Sequence, residues 1–235
     1  STSASSKCRS TDASLSDLIV TNNLPSPLAL IGMSGAGKSH WSHKLEEHGY
    51  LRICCDDRIA DRLQLLLNHS GSATRMMAEW MGLPFQPGYA EAERQYMECE
   101  VAVTEDICEF LENTPAEQPV VIDTTGSLVY VGASLLSRLK SLVTLVYLSA
   151  PSESSEHLYE TFLNDPKPMV WQGWFTPRSG ETNEATLARC LPQLLESRRR
   201  DYSTLADHHL NFQTLRKPGM EIQEFLHLVT SKAAA

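Results

Sequence analysis

The run Gly32-Met33-Ser34-Gly35-Ala36-Gly37-Lys38-Ser39 fits the pattern G-x-x-x-x-G-K-[ST], and its setting constrains the chain more than any other feature. It follows Leu28-Ala29-Leu30-Ile31, four apolar residues without polar alternation, which read as a central strand buried on both faces. It leads into Lys38 to His48, which reads as a helix stopped by Gly49. Strand, glycine turn and helix in that order build a phosphate cradle. The glycines permit positive φ and close approach, successive N–H groups point inward, and the helix N-terminus adds partial positive charge beneath them. All eight residues, Gly32 to Ser39, are therefore candidate ligands of ATP. Lys38 is expected to reach the β- and γ-phosphates, and the Ser39 hydroxyl to ligate magnesium.

Beyond the loop, short apolar runs alternate with helical patterns, which implies parallel strands joined by helical crossovers and an α/β class. The expected strands are Leu28–Ile31, Tyr50–Cys54, Pro119–Asp123, Leu142–Leu148 and Leu210–Phe212, giving a five-stranded parallel sheet flanked by helices. Helices are expected from Ile59 to Asn68, Ala73 to Met81 and Glu91 to Leu111, over 132–140, and from Pro151 to Leu163. A further one runs from Asn183 towards Ala206, interrupted near Pro192, and another starts at Met220. One domain over 25–232 accommodates all of these. Residues 1–24 read as a disordered leader, with a transit-peptide remnant as the alternative, and Ala233-Ala234-Ala235 reads as a cloning scar.

Composition narrows the partners. The chain has 235 residues, 42% hydrophobic and 21% charged, enough to bury a core without a disulfide or metal staple. With 29 acidic against 20 basic residues the formal charge is −9, which disfavours nucleic acid and anionic membranes, so any anionic ligand must be held by a local site. No run approaches the ~20 apolar residues of a membrane span. The six cysteines show no zinc-like spacing and are expected to be reduced thiols, in a cytoplasmic compartment or, if the leader is a transit remnant, an organelle matrix or plastid stroma. The expected partner is a small hydroxyl-bearing substrate, and the expected assembly a monomer or homodimer.

In an open parallel sheet the ligand crevice lies at the carboxyl ends of the strands. Asp56 and Asp57 follow the second strand, and Asp123-Thr124-Thr125-Gly126-Ser127 closes the third. A carboxylate facing the γ-phosphate can accept a hydroxyl proton or hold magnesium. Asp57 is the candidate base, with Asp56 as either a helix cap or a magnesium ligand, and Asp123 is the second candidate magnesium ligand. The glycine spacing 32, 35 and 37 is the form found in small-molecule and nucleoside monophosphate kinases, and it points to phosphoryl transfer onto a small acceptor.

The loop, the acidic group after the second strand, the glycine turn after the third, and Arg198-x-x-x-Tyr202 followed by Leu205-Ala206-Asp207 together resemble the shikimate kinase branch of P-loop kinases over roughly residues 28–230. The resemblance implies a three-layer core, a helical substrate-binding region (about 57–115) and a lid (about 164–182) that closes over ATP. It also implies that Asp57 contacts the acceptor hydroxyl, that Gly126 with Thr125 binds substrate, and that Arg198 pairs with a substrate carboxylate. Arg178 or Lys167 would supply the lid's cation to the transferring group. Thr124-Thr125-Gly126-Ser127 stands where the family carries Gly-Gly-Gly, and the threonine side chains are expected to project towards the acceptor. Trp171, Trp174 and Phe175 are too many large apolar groups for a solvated loop and should cover the site or a partner. Two other readings stay open: a nucleoside or nucleotide kinase, and a non-catalytic ATP-binding regulator.

Overall fold

The computed structural model describes residues 27–65, 72–115, 118–150, 162 and 167–230. The expected leader, the terminal Ala233-Ala234-Ala235, the end of the helix expected to reach Asn68 and nearly all of the helix after Pro151 lie outside the described residues. Five strands, β1 (Leu28–Ile31), β2 (Leu51–Cys54), β3 (Val120–Asp123), β4 (Thr144–Leu148) and β5 (His208–Leu210), form one sheet in the order β2-β3-β1-β4-β5. Every pairing is parallel. The helices are α1 (Lys38–Glu47), α2 (Cys55–Arg62), α3 (Ala73–Met81), α4 (Tyr89–Glu112), α5 (Ala133–Leu142), α6 (Asn183–Leu205), the short α7 (Phe212–Leu215) and α8 (Ile222–Thr230).

The unbroken apolar run of β1 has a simple cause. Ala29 and Ile31 face one layer with Ile122, Leu145 and residues of α2, α4 and α6, whereas Leu28 and Leu30 face the other with Val121, Val146, Trp41, Leu45 and Phe225. Strand residues alternate sides, and both sides are covered. On the second side the Trp41 ring of α1 stacks on Phe225 of α8, with centroids 4.6 Å apart and planes 17° from parallel. That contact fixes the helix that begins at the phosphate loop.

Several boundaries differ from the sequence expectation. α2 begins at Cys55, not near Ile59, so Asp56 and Asp57 lie in its first turn, where carboxylates favour the positive end of the helix dipole. α5 continues through Leu142, and β4 starts at Thr144, whose N–H finds the Pro27 carbonyl at 2.9 Å. Pro192 does not interrupt α6, where Leu187, Cys190, Leu191 and Leu194 are buried on both sides of it. β5 lies two residues earlier than expected, because the Asp207 carboxylate accepts from Leu145 N at 2.9 Å and Asn211 caps the next helix by accepting from Thr214 N. His208 and His209 therefore belong to the strand. Among the described residues no helix is long and apolar enough to cross a membrane.

Replacing Trp41 by Ala removes the stacked, fully buried ring, and we expect a loss of about 3–5 kcal/mol in urea denaturation. The phosphate-loop helix then loses its anchor, so nucleotide affinity should fall together with stability.

Candidate active site

The phosphate loop bridges β1 and α1 in a conformation that requires its glycines. Gly35 and Gly37 have φ of 80° and 97°, and Gly32 has φ of 141°. A Cβ on Gly32 would lie 2.5 Å from the Leu148 carbonyl oxygen at the end of β4, so the loop sits directly against the neighbouring strand. Ser34, Gly35 and Ser39 are exposed, Met33 and Gly37 are half-buried, and Ala36 is buried. Lys38 is only 8% exposed, and its Nζ donates to the Gly32 and Met33 carbonyls at 2.8 and 3.1 Å. Burial pulls its pKa down, while Asp123 and Asp56 push it back.

Asp123 ends β3 beside that lysine. Its Oδ2 accepts from Ser42 Oγ of α1 at 3.2 Å and from the Arg52 guanidinium of β2 at 3.0 Å, and Arg52 Nε also donates to Ser42 at 2.8 Å. Parallel pairing puts Cys54, two residues beyond Arg52, level with Asp123. Lys38, Asp123, Ser42 and Arg52 thus knit the loop helix to both strands on its flank.

The two acidic residues after β2 divide differently from expectation. Adjacent helical positions point about 100° apart, so only one of them faces the loop. Asp56 is that one: it is half-buried, receives the Thr74 hydroxyl at 3.4 Å, and feels both Lys38 and Asp123. Burial raises its carboxyl to about 6. Asp57, in the same turn of α2, is exposed to solvent.

The turn after β3 also corrects an expectation. Thr124, Thr125 and Ser127 are buried, and their hydroxyls turn away from the crevice. Thr124 Oγ1 donates to Leu30 O at 2.7 Å, while Thr125 and Ser127 both donate to Glu100 of α4. Gly126 is the residue left facing outward. A Cβ built there would find Arg198 and Ser34 N as its nearest neighbours, each 3.9 Å away. Bare backbone therefore lies between the phosphate loop and a guanidinium. Arg198 itself is 4% exposed, donates to the Tyr130 hydroxyl and the Val170 carbonyl, and lies over the Tyr130 ring.

The segment expected to form the lid is described from residue 167 on. Trp171 is buried with its ring edge-on to Phe162 and Phe175, and Phe175 meets Phe85. Its backbone is held by α4: the Tyr89 hydroxyl donates to Met169 O at 2.7 Å, Trp171 N donates to Tyr89 and Glu93, and Gln172 N donates to Glu93. The aromatic groups thus cover the α4 side of the core beside Arg198. Lys167 is half-buried. Arg178 is exposed, in a turn whose backbone N–H donates to Glu181. Arg94 is a solvated ion pair with Glu91 and Glu98, as its spacing on the helix indicates.

The donor set suits a hard cation. Among the described residues no cluster of three or more His, Cys, Asp or Glu forms a protein cage. Ser39 with one or two carboxylates at the strand ends is the sparse oxygen set by which magnesium is commonly held alongside phosphate oxygens. Burial pushes the Cys54 thiol up to about 12 and the Cys55 thiol well above its ordinary value.

No family model and no curated protein matches the chain. Among solved structures, a shikimate kinase from Acinetobacter baumannii in complex with shikimate is similar at a TM-score of 0.56 and 21% identity, covering 91% of this chain and 97% of that one. The fold is that of a shikimate kinase. Shikimate kinases from Bacteroides thetaiotaomicron and Aquifex aeolicus are similar at TM-scores of 0.49 with 18% and 21% identity, each over 85% of this chain and over 93% and 92% of theirs. Within the shikimate-kinase fold, the strand order fixes which carboxyl ends meet: β3 and β1 are neighbours, so Asp123 and the loop share one crevice.

Two residues of this site escaped the sequence reading. Arg52 sits mid-strand, and only its pairing with β3 reveals its partner. Glu100 lay among several glutamates of α4, and its distinguishing signal is position: it continues the stripe of Ala92 and Tyr96 that faces the core.

Two outcomes follow. Arg52→Ala leaves Asp123 buried without its cation and should cost about 3 kcal/mol in chemical denaturation. Glu100, raised by burial to about 7 from an ordinary 4.5, binds more protons in the folded than in the unfolded state. Its contribution is thus fully present below pH about 4.5 and is lost as pH rises through about 7. The thermal midpoint of Glu100→Gln relative to wild type should therefore climb between pH 5 and pH 8.

Proposed function

We propose that the protein transfers the γ-phosphoryl group of ATP to a hydroxyl of a small, anionic metabolite. The observation that supports the reading is that Gly126 presents bare backbone beside both the amide of Ser34 on the phosphate side and the buried Arg198, each 3.9 Å from where its Cβ would stand. A carboxylate of the acceptor would pair with Arg198, and its hydroxyl would then face the loop. ATP with magnesium supplies the transferable group and neutralises charge on it. The loop N–H groups and Lys38 bind the phosphates, and Ser39 with Asp123 would hold the cation. Asp56 orients the hydroxyl and accepts its proton, the role that the sequence alone gave to Asp57. The 167–180 segment would cover the crevice and exclude water, bringing Arg178 or Lys167 to the transferring group.

Catalysis of this kind is mostly positioning and electrostatics, so the tests are substitutions with graded outcomes. A screen of hydroxy acids, beginning with shikimate, should find an acceptor whose phosphorylation consumes ATP one for one. Asp56→Asn should lower kcat about 10²- to 10⁴-fold, whereas Asp57→Asn should stay within about threefold because its side chain is solvated. With Asp56 as base, kcat/KM for the acceptor should fall as pH drops through about 6. Arg198→Ala should raise the acceptor KM and leave ATP binding intact.

A regulator that binds nucleotide without transferring it is the second reading, and the exposed position of Arg178 favours it. ATP binding that persists with no transfer to any hydroxyl compound, and that Asp56→Asn leaves unaltered, would decide for that reading.

A further inference from the structure

Glu100 is a carboxyl group in an unusual position. It is 1% exposed, and among the described residues no cation lies within salt-bridge distance of it. Both oxygens are occupied by hydroxyls of the turn after β3, Oε1 by Thr125 and Oε2 by Ser127 at 2.7 Å. The turn is cross-braced: Ser127 N donates to Thr125 Oγ1 at 3.2 Å, the Tyr96 hydroxyl one helical turn before Glu100 bonds with Ser127, and the Tyr202 hydroxyl of α6 donates to Gly126 O at 2.5 Å. The groups facing Glu100 are Cys55 and Asp56 from α2, Tyr96 from its own helix, and Arg198 and Tyr202 from α6.

A core position needing only volume is filled more cheaply by an apolar side chain, because a buried carboxyl loses its hydration. What the carboxyl adds is a two-pronged grip on residues 125 and 127, on either side of Gly126, which stands beside Arg198 and Ser34 N. We infer that Glu100 is a positioning residue for the acceptor, holding Gly126 at its set distance from Arg198 and the phosphate loop through Thr125 and Ser127. This rests on the phosphotransferase reading above for its consequence in catalysis, and on the hydrogen bonds alone for its consequence in structure. The grip concerns the acceptor wall of the crevice and not the nucleotide wall, since Glu100 makes no hydrogen bond to residues 32–39.

The test combines amide hydrogen exchange with steady-state kinetics on the full chain, using ATP and shikimate, or the hydroxy acid that replaces shikimate in the screen. In Glu100→Ala, exchange over 124–130 should accelerate at least tenfold while 32–39 stays within twofold. The acceptor KM should rise at least tenfold, with the ATP KM within twofold and kcat within about threefold. Glu100→Gln keeps the volume and one acceptor oxygen, and it should bring exchange and acceptor KM back to within about threefold of wild type. Should Glu100→Ala fail to fold, Ser127→Ala removes one prong and should speed exchange at 126–128 at least threefold. Unchanged exchange over 124–130 in a folded variant overturns the inference, as does a parallel rise of both KM values. Wild-type protein that phosphorylates no acceptor defeats the phosphotransferase reading, and the exchange measurement still decides the grip.

Discussion

A lysine ammonium held almost out of water at the end of a buried strand is the constraint around which the rest of this structure is arranged. Burial lowers the pKa of Lys38, and a neutral lysine would be of no use to a phosphate. The opposing influence comes from Asp123 and Asp56, so two further strand ends must deliver carboxylates to the same place. Asp123 in turn is buried, and one of its oxygens is shared by Arg52 and Ser42. Every charge in the group has a neighbour that makes it tolerable, and each neighbour comes from a different element: α1, β2, β3 and α2. The parallel order β2-β3-β1 brings these ends together, and the Trp41–Phe225 stack on the far face keeps α1 seated.

The polar residues of the turn after β3 extend the same logic one layer outward. Thr124 bonds to Leu30 O, which ties the turn to β1 immediately before the phosphate loop, and Thr125 and Ser127 bond to α4. A three-glycine turn would leave those hydrogen bonds unmade and its backbone free. Here side chains restrain the turn from behind while Gly126 keeps the front bare. Hydroxyls that looked from the sequence like obstacles to an acceptor are supports for the backbone next to it.

Much of this was legible before any coordinates. The strand–loop–helix grammar around Gly32–Ser39, the class and the number of strands all follow from local patterns, because each depends on neighbours close in sequence, whereas the inward arginine at 198 rests on the family resemblance of Arg198-x-x-x-Tyr202. The parts that were not legible depend on rotation or pairing. Whether Asp56 or Asp57 faces the loop turns on one residue in the start of α2, and a start at Cys55 instead of nearer Ile59 decides it. The partner of Arg52 is 71 residues away in sequence, across a parallel pairing whose register the sequence does not announce. The direction of the Thr125 hydroxyl depends on which of the glutamates of α4 lies on its core face. Each of these depends on contacts between residues far apart in the sequence.

The overall charge of −9 and the anionic ligand that the loop is built for are reconciled by where the cations sit. Arg75, Arg94, Arg138, Arg199 and Arg200 form exposed pairs with glutamates on helix surfaces, where such pairs are worth little and shift little of the field inside. Among the described residues Lys38 and Arg198 are buried and Arg52 is half-buried; Lys38 and Arg52 meet Asp123 at the end of β3, and Arg198 lies beside Gly126. In that setting a charge acts through a lower dielectric than at the surface, so three interior cations outweigh a larger number of solvated acids for a ligand in the crevice. Asp56 and Glu100, both shifted upward by burial, moderate this field near Gly126. The charge is thus graded: cationic at the phosphate loop, and mixed, with acids whose charge burial disfavours, near Gly126.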